Sequence, residues 1–177
     1  LSIRRQRQMC IRDSKSCFED LTNTSNAFSV MDGCSAPNFA CTLNGLAQSM
    51  AIISEATEIS SSSRTRAAYK LRHAMLEYPG LIAGDGRACT ELMLAMDKRA
   101  AIKTGAEAVF VAIIPELKLG IALKIEDGNM RASEAVIAEL LVRYNILDSK
   151  HPMAIKRLKG PIKNWNGFKT GEYKICF

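Results

Sequence analysis

The 177 residues, 47% hydrophobic and 24% charged, sit within ordinary globular usage and suffice for one domain, or part of one, that buries about 70% of its unfolded surface. The longest apolar stretches, residues 108–114 and 119–125, fall far short of the about 20 residues that cross a bilayer, so no membrane partner is expected. Lysine and arginine exceed aspartate and glutamate by 24 to 18, a formal charge of +6, but no RNP-like, zinc-finger or basic-helix motif accompanies the excess, and nucleic acid is not expected as a partner either.

The opening LSIRRQRQMCIRDS has neither the apolar core nor the small-residue cleavage site of a secretory signal, although an amphipathic transit peptide fits its composition. Met9-Cys10-Ile11-Arg12-Asp13-Ser14 resembles translated DNA of the transposase end sequence used in library preparation. Residues 1–14 are therefore expected to be an artefact of sequencing, with the domain in residues 15–177. Arg4, Arg5, Arg7 and Arg12 against Asp13 hold half of the net charge, so the body is only mildly basic. Six cysteines, at 10, 17, 34, 41, 89 and 176, form no CxxC pair and read as reduced thiols, which points to the cytoplasm. Cys41 and Cys89 lie in apolar surroundings, where a buried thiol is the default.

In chain order, residues 15–29 are polar and rich in Thr, Asn and Ser, which predicts a loop. Residues 42–57 place Leu46, Met50 and Ile53 at i, i+4, i+7, with Leu43 and Ala47 alongside, and predict an amphipathic helix. The serine run 60–63 breaks it. Thr65 then serves as N-cap for a second helix, with Ala67, Leu71, Ala74, Met75 and Tyr78 as its inward stripe and Arg66, Lys70, His73 and Glu77 opposite. Pro79-Gly80 ends that helix, residues 83–87 form a turn, and residues 90–97 are helical. Residues 100–105, 107–114 and 119–126 are short and apolar, divided by Gly or by Pro115-Glu116-Leu117-Lys118, and predict strands joined by tight turns. Val136, Ile137, Leu140, Leu141 and Tyr144 stripe a closing helix that packs on this sheet.

Lys103-Thr104-Gly105 matches the KTG of β-lactamases and penicillin-binding proteins, which set this triplet on a strand followed by an antiparallel pair and a terminal helix, the order read here. That chemistry needs a lysine beside a serine hydroxyl, a hydroxyl for the substrate, and a glycine that lets substrate approach the strand. His73 and His151 read as solvated. Asp85, Arg87, Thr90 and Glu91 form a polar cluster that either frames a pocket or caps a helix. Glu107 either pairs with a lysine or faces water.

Four strings, DGCSAPNF at 32–39, AGDGRACTELM at 83–93, KTGAEAVF at 103–110 and LGIALKIEDG at 119–128, together resemble the L-asparaginase II family of the thermolabile type. Asn164-Trp165-Asn166-Gly167 before Gly171-Glu172 is similar to that family's end, and the likeness runs in register over residues 28–177. It implies an α+β fold, the C-terminal portion of a β-lactamase-like architecture with an antiparallel sheet packed by helices. It also implies hydrolysis of L-asparagine to aspartate and ammonia by serines paired with lysines, zinc held by two cysteines and a lysine, and a homodimer. Lys103 corresponds to the second catalytic lysine, Thr104 and Gly105 to substrate-binding positions, and Cys34 to the downstream cysteine ligand. The sequence departs from the pattern before Cys34, where no SxxK nucleophile motif and no second cysteine-lysine pair occurs. The expectation is a C-terminal part that lacks its nucleophile, is inactive alone, and leaves strand edges and core faces uncovered. Two alternatives are a non-catalytic interaction module that retains the fold and, less well supported, a β-lactamase or transpeptidase relative, which requires export and a reactive serine.

Overall fold

The computed structural model describes residues 2–176, with side chains from Met9 onward. Its centre is a three-stranded antiparallel sheet of β3 (Ala101–Thr104), β4 (Val109–Ile114) and β5 (Leu119–Lys124), in that order. The register sets Ile102 opposite Ala112 and Ala112 opposite Ile121, so strand alternation lays Ile102, Phe110, Ala112 and Leu123 on one face. That face is buried in a cluster with Leu92 and Met93 of α5 (Ala88–Ala95) and with Ile137 and Leu141 of α6 (Met130–Arg143). The three strands stand where the apolar runs predict them and the closing helix where its stripe does, and the fold is α+β.

The other face carries Gly120, and α2 (Leu43–Ser54) lies across it. A Cβ on Gly120 would stand 2.1 Å from the Ala47 carbonyl oxygen and 2.2 Å from the Ala51 nitrogen, so the glycine admits the helix backbone directly onto β5. Behind α2 run α1 (Ser2–Thr22) and α3 (Ser63–Glu77). Thr42 caps α2 by accepting from the Gly45 N–H at 3.0 Å.

Two expectations require correction here. Residues 15–22, expected as loop, belong to α1. Cys17, Phe18, Leu21 and Thr22 fall at i, i+1, i+4, i+5, which is one helical face, and the Phe18 ring meets Phe39 at 5.7 Å. Composition hid this spacing because polar residues fill the positions between. The second concerns α3, which is capped by Ser62 rather than Thr65, the Ser62 hydroxyl accepting from the Thr65 N–H at 3.3 Å. Of its expected inward stripe only Met75 packs against the core; Ala67, Leu71, Ala74 and Tyr78 are turned out, with Leu71 at 68% and Tyr78 at 63% exposure, whereas Arg72 is buried. The reason is electrostatic. The Arg72 guanidinium donates to the carbonyls of Ile53, Ser54 and Ala56, at 2.9, 2.5 and 3.1 Å, and so closes the C-terminal end of α2. The displaced stripe borders an apolar groove of about 200 Å³ lined by Cys17, Leu21, Ile52, Ala67 and Leu71.

Shorter elements complete the chain: the hairpin β1 (Ser29–Met31) and β2 (Pro37–Phe39), α4 (Gly80–Ala83), α7 (Pro152–Leu158), and the hairpin β6 (Ile162–Lys163) and β7 (Lys169–Gly171). Arg157 of α7, 5% exposed, binds Glu91 of α5 at 2.5 Å and Glu134 of α6 at 3.7 Å, and Lys156 adds a second cation to Glu91 at 2.9 Å. Burial alone would push the Glu91 carboxyl up, but these two cations hold it below the ordinary carboxylate value. A depressed carboxyl contributes stability that is present above its unfolded value of about 4.3 and disappears as pH falls through its folded value. The melting temperature of Glu91→Gln is thus expected to lie below wild type at pH 7, and the gap to close progressively below about pH 4. A gap unchanged across that range would remove Glu91 from the linkage.

Candidate functional site

β3 is one of the two edge strands of the sheet, and Lys103-Thr104-Gly105 stands at its C-terminal end. Alternation sends the two side chains to opposite faces. Thr104 opposes Phe110 on the buried face and is half-buried, its hydroxyl 3.4 Å from the Gly105 carbonyl oxygen and 3.5 Å from that of Val109. Lys103 is exposed, and its Nζ curls back to donate to the Thr104 carbonyl at 2.6 Å, which sets the amine at the outer edge of the strand. Gly105 continues the strand extended, and a Cβ there would meet the Val109 side chain at 3.3 Å. Immediately beyond, Glu107 and Ala108 both take positive φ, 52° and 56°, a left-handed turn that reverses the chain into β4 and costs non-glycine residues roughly 1–2 kcal/mol each. Glu107 faces solvent and lies over Gly128.

The helix preceding β3 supplies what sequence reasoning missed. Cys89, fully buried on α5, accepts a hydrogen bond from the Thr104 N–H at 3.2 Å. Burial pushes its thiol up, and the Thr104 N–H and the charge of Lys103 oppose that shift without cancelling it. The sequence signal was the one-turn spacing of Cys89 and Met93 just before the strand.

The remaining candidates separate. Cys34 is exposed in the β1–β2 turn, which Ser35 closes by donating to the Asp32 carbonyl at 2.8 Å, and its Sγ lies 3.6 Å from Asp32 Oδ2. Among the described residues no three of His, Cys, Asp or Glu gather as a metal site. One cysteine and one aspartate do not fit a closed four-coordinate zinc site, and no chemical step is drawn through a metal. Thr90 is a buried strut, its hydroxyl 2.6 Å from the Gly84 carbonyl oxygen and 3.2 Å from that of Pro79. Glu91 is the ionic tie to α7. Of the polar cluster at 85–91, Thr90 and Glu91 thus brace α5, and Arg87 stands at its N-cap without a side-chain cap bond. His151 caps α7 through Nδ1, which accepts from the Met153 N–H at 3.1 Å, and exposed His73 stacks on Tyr69.

No helix among the described residues is long and apolar enough to cross a membrane. No curated protein matches the chain closely enough to serve as a relative. The family model for L-asparaginase II matches residues 5–175, nearly the entire length, and spans the Lys103 strand, the α5 brace and the closing helix alike. The chain belongs to the L-asparaginase II family, a family of asparaginase-type amidohydrolases.

Proposed function

We propose that this chain carries the lysine side of a Ser-Lys site that hydrolyses L-asparagine to L-aspartate and ammonia. The observation that carries the reading is Lys103-Thr104-Gly105 at the end of an edge strand within a family match that covers the site on both sides. In this scheme a serine hydroxyl attacks the side-chain amide carbon, its proton passes to a lysine amine, the lysine hands that proton to the departing nitrogen so that the C–N bond breaks and ammonia leaves, and water cleaves the acyl-serine to aspartate and free serine. Lys103 holds the proton of a hydroxyl at the strand edge, Thr104 and Gly105 border the substrate, and backbone N–H groups stabilise the oxyanion. The chain contains no Ser-x-x-Lys, and this reading assigns the serine to a position outside residues 1–177. The reading places the intact enzyme in the cytoplasm as a homodimer. Zinc belongs to it only if donors outside this chain join Cys34.

The purified 177-residue chain is expected to release no ammonia from L-asparagine above the blank. Release that disappears in Lys103→Ala would show that a nucleophile lies within this chain and would refute the division of the site.

A further inference from the structure

The Gly105 N–H donates to the Val109 carbonyl at 2.7 Å, and Lys103 opposes Val111 in the same ladder, which turns the N–H groups of Ile102 and Thr104 toward the outer edge of β3. An edge strand normally offers such groups to an added chain. Here both are taken. Cys89 Sγ accepts from Thr104 at 3.2 Å, and Met93 Sδ accepts from Ile102 at 3.4 Å. The two sulfurs stand four residues apart, one helical turn, so one face of α5 matches the two-residue repeat of outward donors on the strand. The outward Thr104 carbonyl is occupied as well, by Lys103 Nζ. Cys89 is fully buried and Met93 2% exposed, so an added strand would have to displace α5 and uncover core.

We propose that Cys89 and Met93 are positioning residues that close the outer edge of β3, so that the Lys103 site takes a free amino-acid amide and rejects an asparagine embedded in an extended peptide. Peptide capture beside an edge strand works by strand addition, which needs the two N–H groups the sulfurs occupy. The substrate clause rests on the amidohydrolase reading; the closure rests on geometry alone.

Amide hydrogen exchange on the uniformly ¹⁵N-labelled chain tests it, with the Gly105 amide as internal reference. In the wild type, Ile102 and Thr104 exchange slowly, in the range of Gly105. Cys89→Ala speeds Thr104 exchange about tenfold relative to Gly105 and Ile102, and Cys89→Ser, which keeps an acceptor, recovers most of the protection. Met93→Leu, close in volume but without an acceptor, speeds Ile102 selectively. The blocked tetrapeptide acetyl-Ala-Asn-Ala-Ala-amide at millimolar concentration leaves both wild-type resonances in place. Unprotected exchange of both amides in the wild type, or peptide-induced shifts confined to them, would overturn the closure. Should Cys89→Ala not fold, the wild-type, Cys89→Ser and Met93→Leu comparisons still decide. Failure of the amidohydrolase reading leaves this exchange pattern untouched, so the two are separable.

Discussion

Gly120→Ala is expected to lose at least about 3 kcal/mol of stability or to prevent folding. The added methyl meets main-chain atoms of α2 at 2.1 and 2.2 Å, closer than any real Cβ contact, and no rotamer relieves a clash with backbone. Relief requires α2 to lift from β5, and α2 is the helix that covers this face of the sheet. Gly33→Ala serves as control, because nothing lies within 4 Å of the added atom and the residue does not have positive φ. Urea unfolding of the two variants should show a lowered midpoint with unchanged slope for the first and a wild-type midpoint for the second. Equal midpoints would mean that the helix and strand do not approach as described.

Arg72→Met is expected to cost about 2–4 kcal/mol. The loss has two parts, the charge-assisted bonds to three carbonyls and the desolvation of the Ser54 and Ala56 carbonyls, while the Ile53 carbonyl keeps the Ala56 N–H at 3.3 Å. Against it stands the cost of burying the guanidinium, which pushes Arg72 below its ordinary value and leaves Nε without a hydrogen-bond partner. The carbonyls win because two of them, of Ile53 and Ser54, belong to the negative end of α2 and the third, of Ala56, lies just beyond it. Arg72→Lys should recover only part of the loss, since an ammonium cannot span three acceptors with the planar fork of arginine. Thermal melts decide, and a methionine variant as stable as wild type would show that burial and bonding cancel.

These two residues also mark where the sequence stops being legible. The spacing of Leu46, Met50 and Ile53 and the short apolar runs of β4 and β5 announced their elements, although the fully buried positions of α2 are Gly45, Ser49 and Ser54 and the stripe itself is half-buried, with Met50 and Ile53 against the core. α3 has a period too, but its apolar side lost the inward position to Arg72, whose partners lie 16 to 19 residues away. Local hydropathy carries no trace of such a bond. The two short hairpins β1–β2 and β6–β7 are too brief for periodicity to register. At the site, Lys103-Thr104-Gly105 was readable as a motif and the strand as an apolar run, whereas Cys89 read only as a buried thiol. Its acceptor role depends on the angle at which α5 meets β3, a tertiary fact. The expectation of open strand edges fails at β3 for the same reason.

The exposed side chains Leu71 and Tyr78 of α3 and the hydrogen-bonded edge of β3 accord with the proposed reading, in which this chain supplies the lysine strand and the serine is supplied from outside residues 1–177. The most direct measurement is ammonia release from L-asparagine by this chain joined to an N-terminal segment that bears Ser-x-x-Lys, taken from another L-asparaginase II family protein. The account predicts release by the joined protein and a loss of at least about a hundredfold on Lys103→Ala, with the fold retained. Equal rates with and without Lys103 would contradict it.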